Sequence, residues 1–271
     1  MKRIFLYSLL SVFAFLILLA YKTPSSFLIS QLASQTGMVY MDTIKGSLFD
    51  GSANNVQLKL PPGILGRRPY VLELGTVQWR IGLLSLLTTK LDLQLDTQHL
   101  NQSLNLNLKY GLLSGDVSIV DSQFSAALPF LLKFYPVPAK IDGQIELDIQ
   151  ALAMVLDSSA LPQSIPPIDA LQAQVIIKQL NVAIKEAVDL GDFGVNLIKE
   201  ADQLIASASD INSSVSLEGR GTLSLTEQNY QLNAEVKPKP EAPAIIGQSL
   251  GFMARKQPDG TYNIKYSGKL N

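Results

Sequence analysis

The chain has 271 residues and no cysteine. Disulfides, thiolate nucleophiles, cysteine-based zinc sites and acylation on cysteine are therefore excluded. Histidine is almost as scarce. His99 is the only one, in "LDTQHLNQSL", which reads as a turn between two strands with a solvated imidazole. One histidine and no cysteine would force a metal site to rely on carboxylates, an unusual donor set for zinc, so no metal site is expected. Charge of either sign is thin and balanced, with 22 Lys and Arg against 23 Asp and Glu and a formal net of −1. No nucleic-acid partner is expected from that balance. Tryptophan occurs once, as Trp79, and its alternation with Val77 and Ile81 marks it as a core residue. No G-x-S-x-G elbow, Walker loop or dinucleotide fingerprint is present, so no cofactor site is expected either.

Long apolar runs are also rare, and the single exception is informative. Met1, Lys2 and Arg3 precede "IFLYSLLSVFAFLILLAY", Ile4 to Tyr21, an uncharged run at the short end of what spans a bilayer. Residues 1–3 then form a cytoplasmic tip, because Lys2 and Arg3 favour that side. A cleaved signal peptide and a retained anchor both fit such a run. Leu18 and Ala20 suit a peptidase site poorly, and the run is long for a signal, which favours the anchor over 4–21. In either case the rest of the chain is expected outside the cytoplasm, in the periplasm of a Gram-negative cell. "TPSSFLISQLASQTG" then reads as a membrane-proximal helix over 22–37 that Gly37 ends.

From residue 38 to 271 the apolar period changes to two, and the fold expectation is mostly β. Leu72, Leu74, Val77, Trp79 and Ile81 alternate with polar residues. So do Leu91, Leu93 and Leu95, then Leu104, Leu106 and Leu108, then Ile141, Ile145, Leu147 and Ile149. Such alternation means one buried and one wet face, as in an antiparallel sheet. About ten strands are expected, with a slip near Ile176 and Ile177 that reads as a bulge. Too few helices accompany them to cover a flat sheet, so an extended, strongly curved sheet is expected. The helical candidates are "SQFSAALPFLLKFYPVP", the stretch Phe193 to Ala208, and "EAPAIIGQSLGFMARK" with Pro243 near its first turn. "LPQSIPPID", 161–169, is the best internal break, either a domain boundary or a long loop.

Chemistry-bearing constellations are few, and no catalytic residue is assigned. Asp142, Glu146 and Asp148 lie at even spacing along one strand, where a wet face is the simplest reading and a glycosidase pair the remote one. Arg67 and Arg68 in "ILGRRPYV" form the densest basic spot and suit an exposed loop or an anionic headgroup. "GLLSG", Gly111 to Gly115, reads as a hairpin turn. In "TIKGSLFDGSANNVQLKL", Gly46 and Gly51 bracket a turn that feeds a strand, and from Asn55 onward Val56, Leu58 and Leu60 alternate with Gln57 and Lys59.

Four segments together resemble the type II secretion system protein N family. They are the N-terminal apolar run, "GSLFDGSANNVQL", "TVQWRIGLLSLL", and the C-terminal block Gly219 to Leu270. The second and third are shared with AsmA-like envelope proteins, to which the resemblance is weaker, so the C-terminal block separates the two. The 161–169 loop and the stretch near Phe193 to Ala208 depart from the pattern. The resemblance implies an inner-membrane-anchored, periplasmic, non-enzymatic component that assists export of folded exoproteins by contact with other secretion-apparatus proteins. The AsmA-like alternative implies an apolar β-groove for lipid. Neither brings catalytic, cofactor-binding or metal-binding residues.

Overall fold

The computed structural model describes residues 38–60, 70–86, 88–100, 102–132, 140–156, 167–183 and 187–269. The expected anchor (4–21), the membrane-proximal helix (22–37), Arg67 and Arg68, and most of the 161–169 break lie outside the described residues. Among the described residues, no helix is long and apolar enough to cross a membrane. The chain divides into two compact units, Met1–Leu100 and Asn101–Asn271.

The first unit contains β1 (Val39–Tyr40), β2 (Ile44–Gly46), β3 (Asp50–Leu60), β4 (Tyr70–Ile81), the short helix α1 (Leu83–Leu86) and β5 (Lys90–His99). β1 and β2 both pair with β3, which pairs with β4, which pairs with β5, all antiparallel. The Gly46/Gly51 turn is a tight hairpin. Gly46 adopts φ +87°, in the left-handed region that glycine tolerates best, and sits opposite Gly51. Ser47 N–H donates to Asp50 O at 2.8 Å, and the N–H groups of Phe49 and Asp50 donate to Ser47 Oγ at 3.2 and 3.1 Å. The strand begins at Asp50, ahead of the alternation visible from Asn55. A bulge between Ala53 and Val56, with Asn55 at φ +50°, resets the two-residue period and hides the first part of the strand. Ala53, Val56 and Val77 are buried, with Val39, Ile44, Leu74 and Leu95 packed around them. Trp79 stands half-buried at the margin of this core, opposite Gly51, and its indole Nε1–H donates to Leu48 O at 3.0 Å.

The second unit is an antiparallel meander in chain order. It runs through β6 (Gln102–Gly111), β7 (Asp116–Ala127), helix α2 (Leu128–Leu132), β8 (Lys140–Val155), β9 (Ile168–Ala183) and β10 (Ala187–Glu200). It continues through β11 (Gln203–Ser213), β12 (Val215–Ser224), β13 (Asn229–Pro238), helix α3 (Ala244–Met253) and β14 (Tyr262–Lys269). The protein is mostly β, as the alternation indicates, with fourteen described strands rather than about ten. Gly111 to Gly115 forms the expected hairpin turn, and β8 and β9 on either side of the 161–169 stretch pair along most of their length.

Phe193 to Ala208 is a correction: it forms β10 and β11, joined by a two-residue turn at Ala201 and Asp202, and not a helix. Phe193, Leu197, Leu204 and Ile205 do fit a helical spacing. Phe193, Val195 and Leu197 also fit the strand period, and neighbours on both sides supply ladder partners that settle the ambiguity. The bulge expected near Ile176 and Ile177 is displaced. Those two residues pair regularly with Glu146 and Ile145, and the register shifts instead around Gln179, which adopts φ +52°. Of the other helical stretches, "SQFSAALPF" stays in β7 through Ala127 before the single turn of α2, whereas α3 starts directly after Pro243.

Candidate binding cleft

No group of His, Cys, Asp or Glu is placed to hold a metal ion among the described residues. His99 is the last residue of β5 and not a turn residue; its Nε2 lies 3.4 Å from Glu73 Oε2 on β4. Gly111 to Gly115 leaves no more than a turn. Of the carboxylates on β8, Glu146 accepts from Lys178 Nζ at 2.7 Å and Asp142 Oδ2 lies 3.7 Å from Lys140 Nζ. The Lys178 ammonium neutralises the Glu146 carboxylate.

An apolar concave feature lies in the second unit, beneath α3. Phe193 on β10, Val215 on β12, Val236 on β13 and Ile246 on α3 are buried together. Around them a cleft of about 370 Å³ is bounded by Val182, Val188, Leu190, Leu217 and, from the helix, Ile245 and Leu250. Ser249 is the one polar side chain on its wall. The volume falls within the ~300–1,000 Å³ of ordinary ligand pockets. With no charged group on the wall, it offers apolar contact alone, which suits a methylene chain or an aliphatic side chain and gives no grip on an ion.

Local chemistry explains why the helix sits where it does. Pro243 cannot donate a main-chain hydrogen bond, so it fits at the helix start, where that donor has no partner. Ile246 and Leu250 are one turn apart and share the face turned to the sheet. Tyr262 at the start of β14 donates its hydroxyl to Gly247 O at 3.0 Å, tying strand to helix, and its ring is buried. Next to the end of β13, Asp210 accepts from Leu217 N–H at 2.9 Å and from Lys239 Nζ at 2.9 Å. The Leu217 N–H holds the Asp210 carboxyl below its usual range, partial burial opposes this, and Lys239 adds to the lowering. Asp210 thus stays ionised and joins β11, β12 and the residue after β13.

α3 covers only part of this apolar sheet face. Opposite residues of an antiparallel pair share a face, so Leu232 and Tyr266, and Tyr230 and Gly268, continue the face of Val236 and Tyr262. Leu232 and Tyr266 are 40% and 53% exposed, whereas Val236 and Tyr262 are buried.

Residues 38–265 match the family described as Type II secretion system (T2SS), protein N. The chain belongs to the type II secretion system protein N family. No curated protein and no solved structure matches the chain. The family match takes in both compact units, including the Gly46/Gly51 hairpin, Trp79 and almost the whole C-terminal block. It also spans the Phe193 to Ala208 stretch, which sequence reading set apart as a departure and which is regular β-hairpin. As a protein N family member the chain is a type II secretion component.

The cleft residues themselves were not singled out by sequence reasoning. α3 was recognisable from Pro243 and its apolar positions. Val188, Leu190 and Phe193 were not, because the helical spacing of Phe193, Leu197 and Leu204 competes with the strand period there. Their even spacing from Val188 to Leu190, carried past the bulge near Asp192, was the signal that identifies them.

Proposed function

We propose that this protein N family member is an inner-membrane-anchored periplasmic component of the type II secretion system that assists export of folded exoproteins by protein–protein contact. The family match over residues 38–265 carries this reading. The uncharged run Ile4 to Tyr21, with Lys2 and Arg3 before it, supports a single anchor with its N-terminus in the cytoplasm. The β-rich units then project into the periplasm, where the surfaces of a scaffold, and not a reactive group, do the work. Deleting the chain should leave exoproteins in the periplasm; normal secretion would sink the proposal.

A second reading is favoured by one observation, the apolar wall of the cleft under α3, on which Ser249 is the one polar side chain. In it the cleft takes an acyl chain of an envelope lipid, as the AsmA-like likeness suggests. Full-length protein purified in detergent and washed extensively should then retain phospholipid detectable by mass spectrometry. Protein free of lipid would count against this reading and leave the first untouched.

A further inference from the structure

The last strand of the second unit has one side with almost no backbone partner. β14 pairs with β13 on its inner side, and the order of strands ends there. On the outer side, Lys256 bridges only to Tyr262, at the very start of the strand. Gln257 N–H donates to Thr261 O at 2.8 Å on that same side. By the two-residue alternation of a strand, Asn263, Lys265, Ser267 and Lys269 therefore turn their main-chain groups outward. Among the described residues no strand pairs with them. An open edge of this length is a template for another strand.

The side chains of β14 state what kind of strand fits. One face carries Ile264, half-buried against the cluster under α3, and Tyr266, which continues the exposed apolar strip of Leu232. The other carries Lys265 and Lys269, both exposed, and neither joins an ion pair among the described residues. β14 holds no acidic residue, and Lys256 adds a further positive charge beside its start. A second copy of β14 is a poorer partner than an acidic strand, because it brings two more lysines and no carboxylate to this edge.

We propose that the outer edge of β14 is a docking site for an extended segment of a partner protein that alternates apolar and acidic residues. Backbone hydrogen bonds add it as a further strand. Its apolar residues cover Tyr266 and Ile264, and its carboxylates face Lys265 and Lys269. The proposal draws on the secretion reading only in taking the partner to be a protein. The secretion phenotype tests the role, and the binding experiment tests the edge, so the two fail separately.

The experiment uses the full chain in detergent and two short fluorescein-labelled peptides, one alternating valine with glutamate and the other valine with lysine, read by fluorescence anisotropy. The valine–glutamate peptide should bind at least about tenfold more tightly than the valine–lysine peptide. The double substitution Lys265→Glu with Lys269→Glu, on exposed positions that leave the fold intact, should reverse that order. Ser267→Pro, which removes an outward donor where an edge strand tolerates proline, should abolish binding with an unchanged circular dichroism spectrum. Equal binding of both peptides, no binding of either, or an order that survives the charge reversal would overturn the proposal. So would a concentration-dependent dimer that Ser267→Pro dissociates, because a second copy would then own the edge.

Discussion

Gly51→Val should unfold the first unit at far lower denaturant than the native sequence, with a loss of about 3 kcal/mol or more. A Cβ at Gly51 would stand 2.5 Å from Trp79 Cζ2 and 2.8 Å from the carbonyl oxygens of Lys45 and Ser47. The ring has little room to retreat, because its Nε1–H is held by Leu48 O and its flank packs with Ala53 and Val77. The two carbonyls are main chain and cannot swing aside. Overpacking a core position typically costs ~1–3 kcal/mol, and contacts on two sides place this site at or above the top of that range. Gly46→Val should behave the same way for a second reason. Its φ of +87° is hostile to a β-branched side chain, and its Cβ would meet Asp50 O at 2.4 Å. Trp79 is the only tryptophan in the chain, so its fluorescence in a urea titration reports this hairpin directly. A native midpoint combined with lost secretion would show the turn to be a contact surface and not a structural hinge of the sheet.

Phe193→Ala is expected to cost the second unit about 3–4 kcal/mol, near the lower end of the ~3–5 kcal/mol typical for a buried phenylalanine. Phe193 is 8% exposed and packs with Val215, Val236 and Ile246. Its removal therefore loosens β10, β12, β13 and α3 together. The cost stays at the lower end because the ring already borders the cleft, so part of its surface lacks packed neighbours. Far-UV circular dichroism in urea reads the effect, since the second unit holds no tryptophan. An unchanged midpoint would mean that α3 is not held by this cluster. For a domain whose total stability is of the usual ~5–15 kcal/mol, either substitution removes a large share.

Legibility in the sequence followed the local or distant origin of each feature. Leu91, Leu93 and Leu95, or Leu104, Leu106 and Leu108, declare their strands because one face of each is drier than the other over a run of residues. The Gly46/Gly51 turn and the helix after Pro243 were visible for the same reason: backbone conformation there is dictated by the residue on the spot. Bulges break this local rule. Asn55 and Gln179, both at positive φ, shift the alternation with no glycine beside them in their own strands; the positive-φ glycines, Gly75 and Gly143, stand across the ladder, where only the pairing links them to the bulge. β1 and β2 are too short to display a period and exist because β3 offers them a ladder. The cleft is the extreme case. Val182 and Leu250 are far apart in the chain, and only the pairing of successive strands brings their neighbourhoods together.

The account stands on the chain acting as a type II secretion component through contacts between proteins. A clean chromosomal deletion in a strain that secretes a folded enzyme tests this most directly, with the enzyme's activity measured separately in medium and periplasm. The account predicts that activity shifts from the medium to the periplasm and returns to the medium when the full chain is supplied in trans. An unchanged division between the two fractions would contradict it.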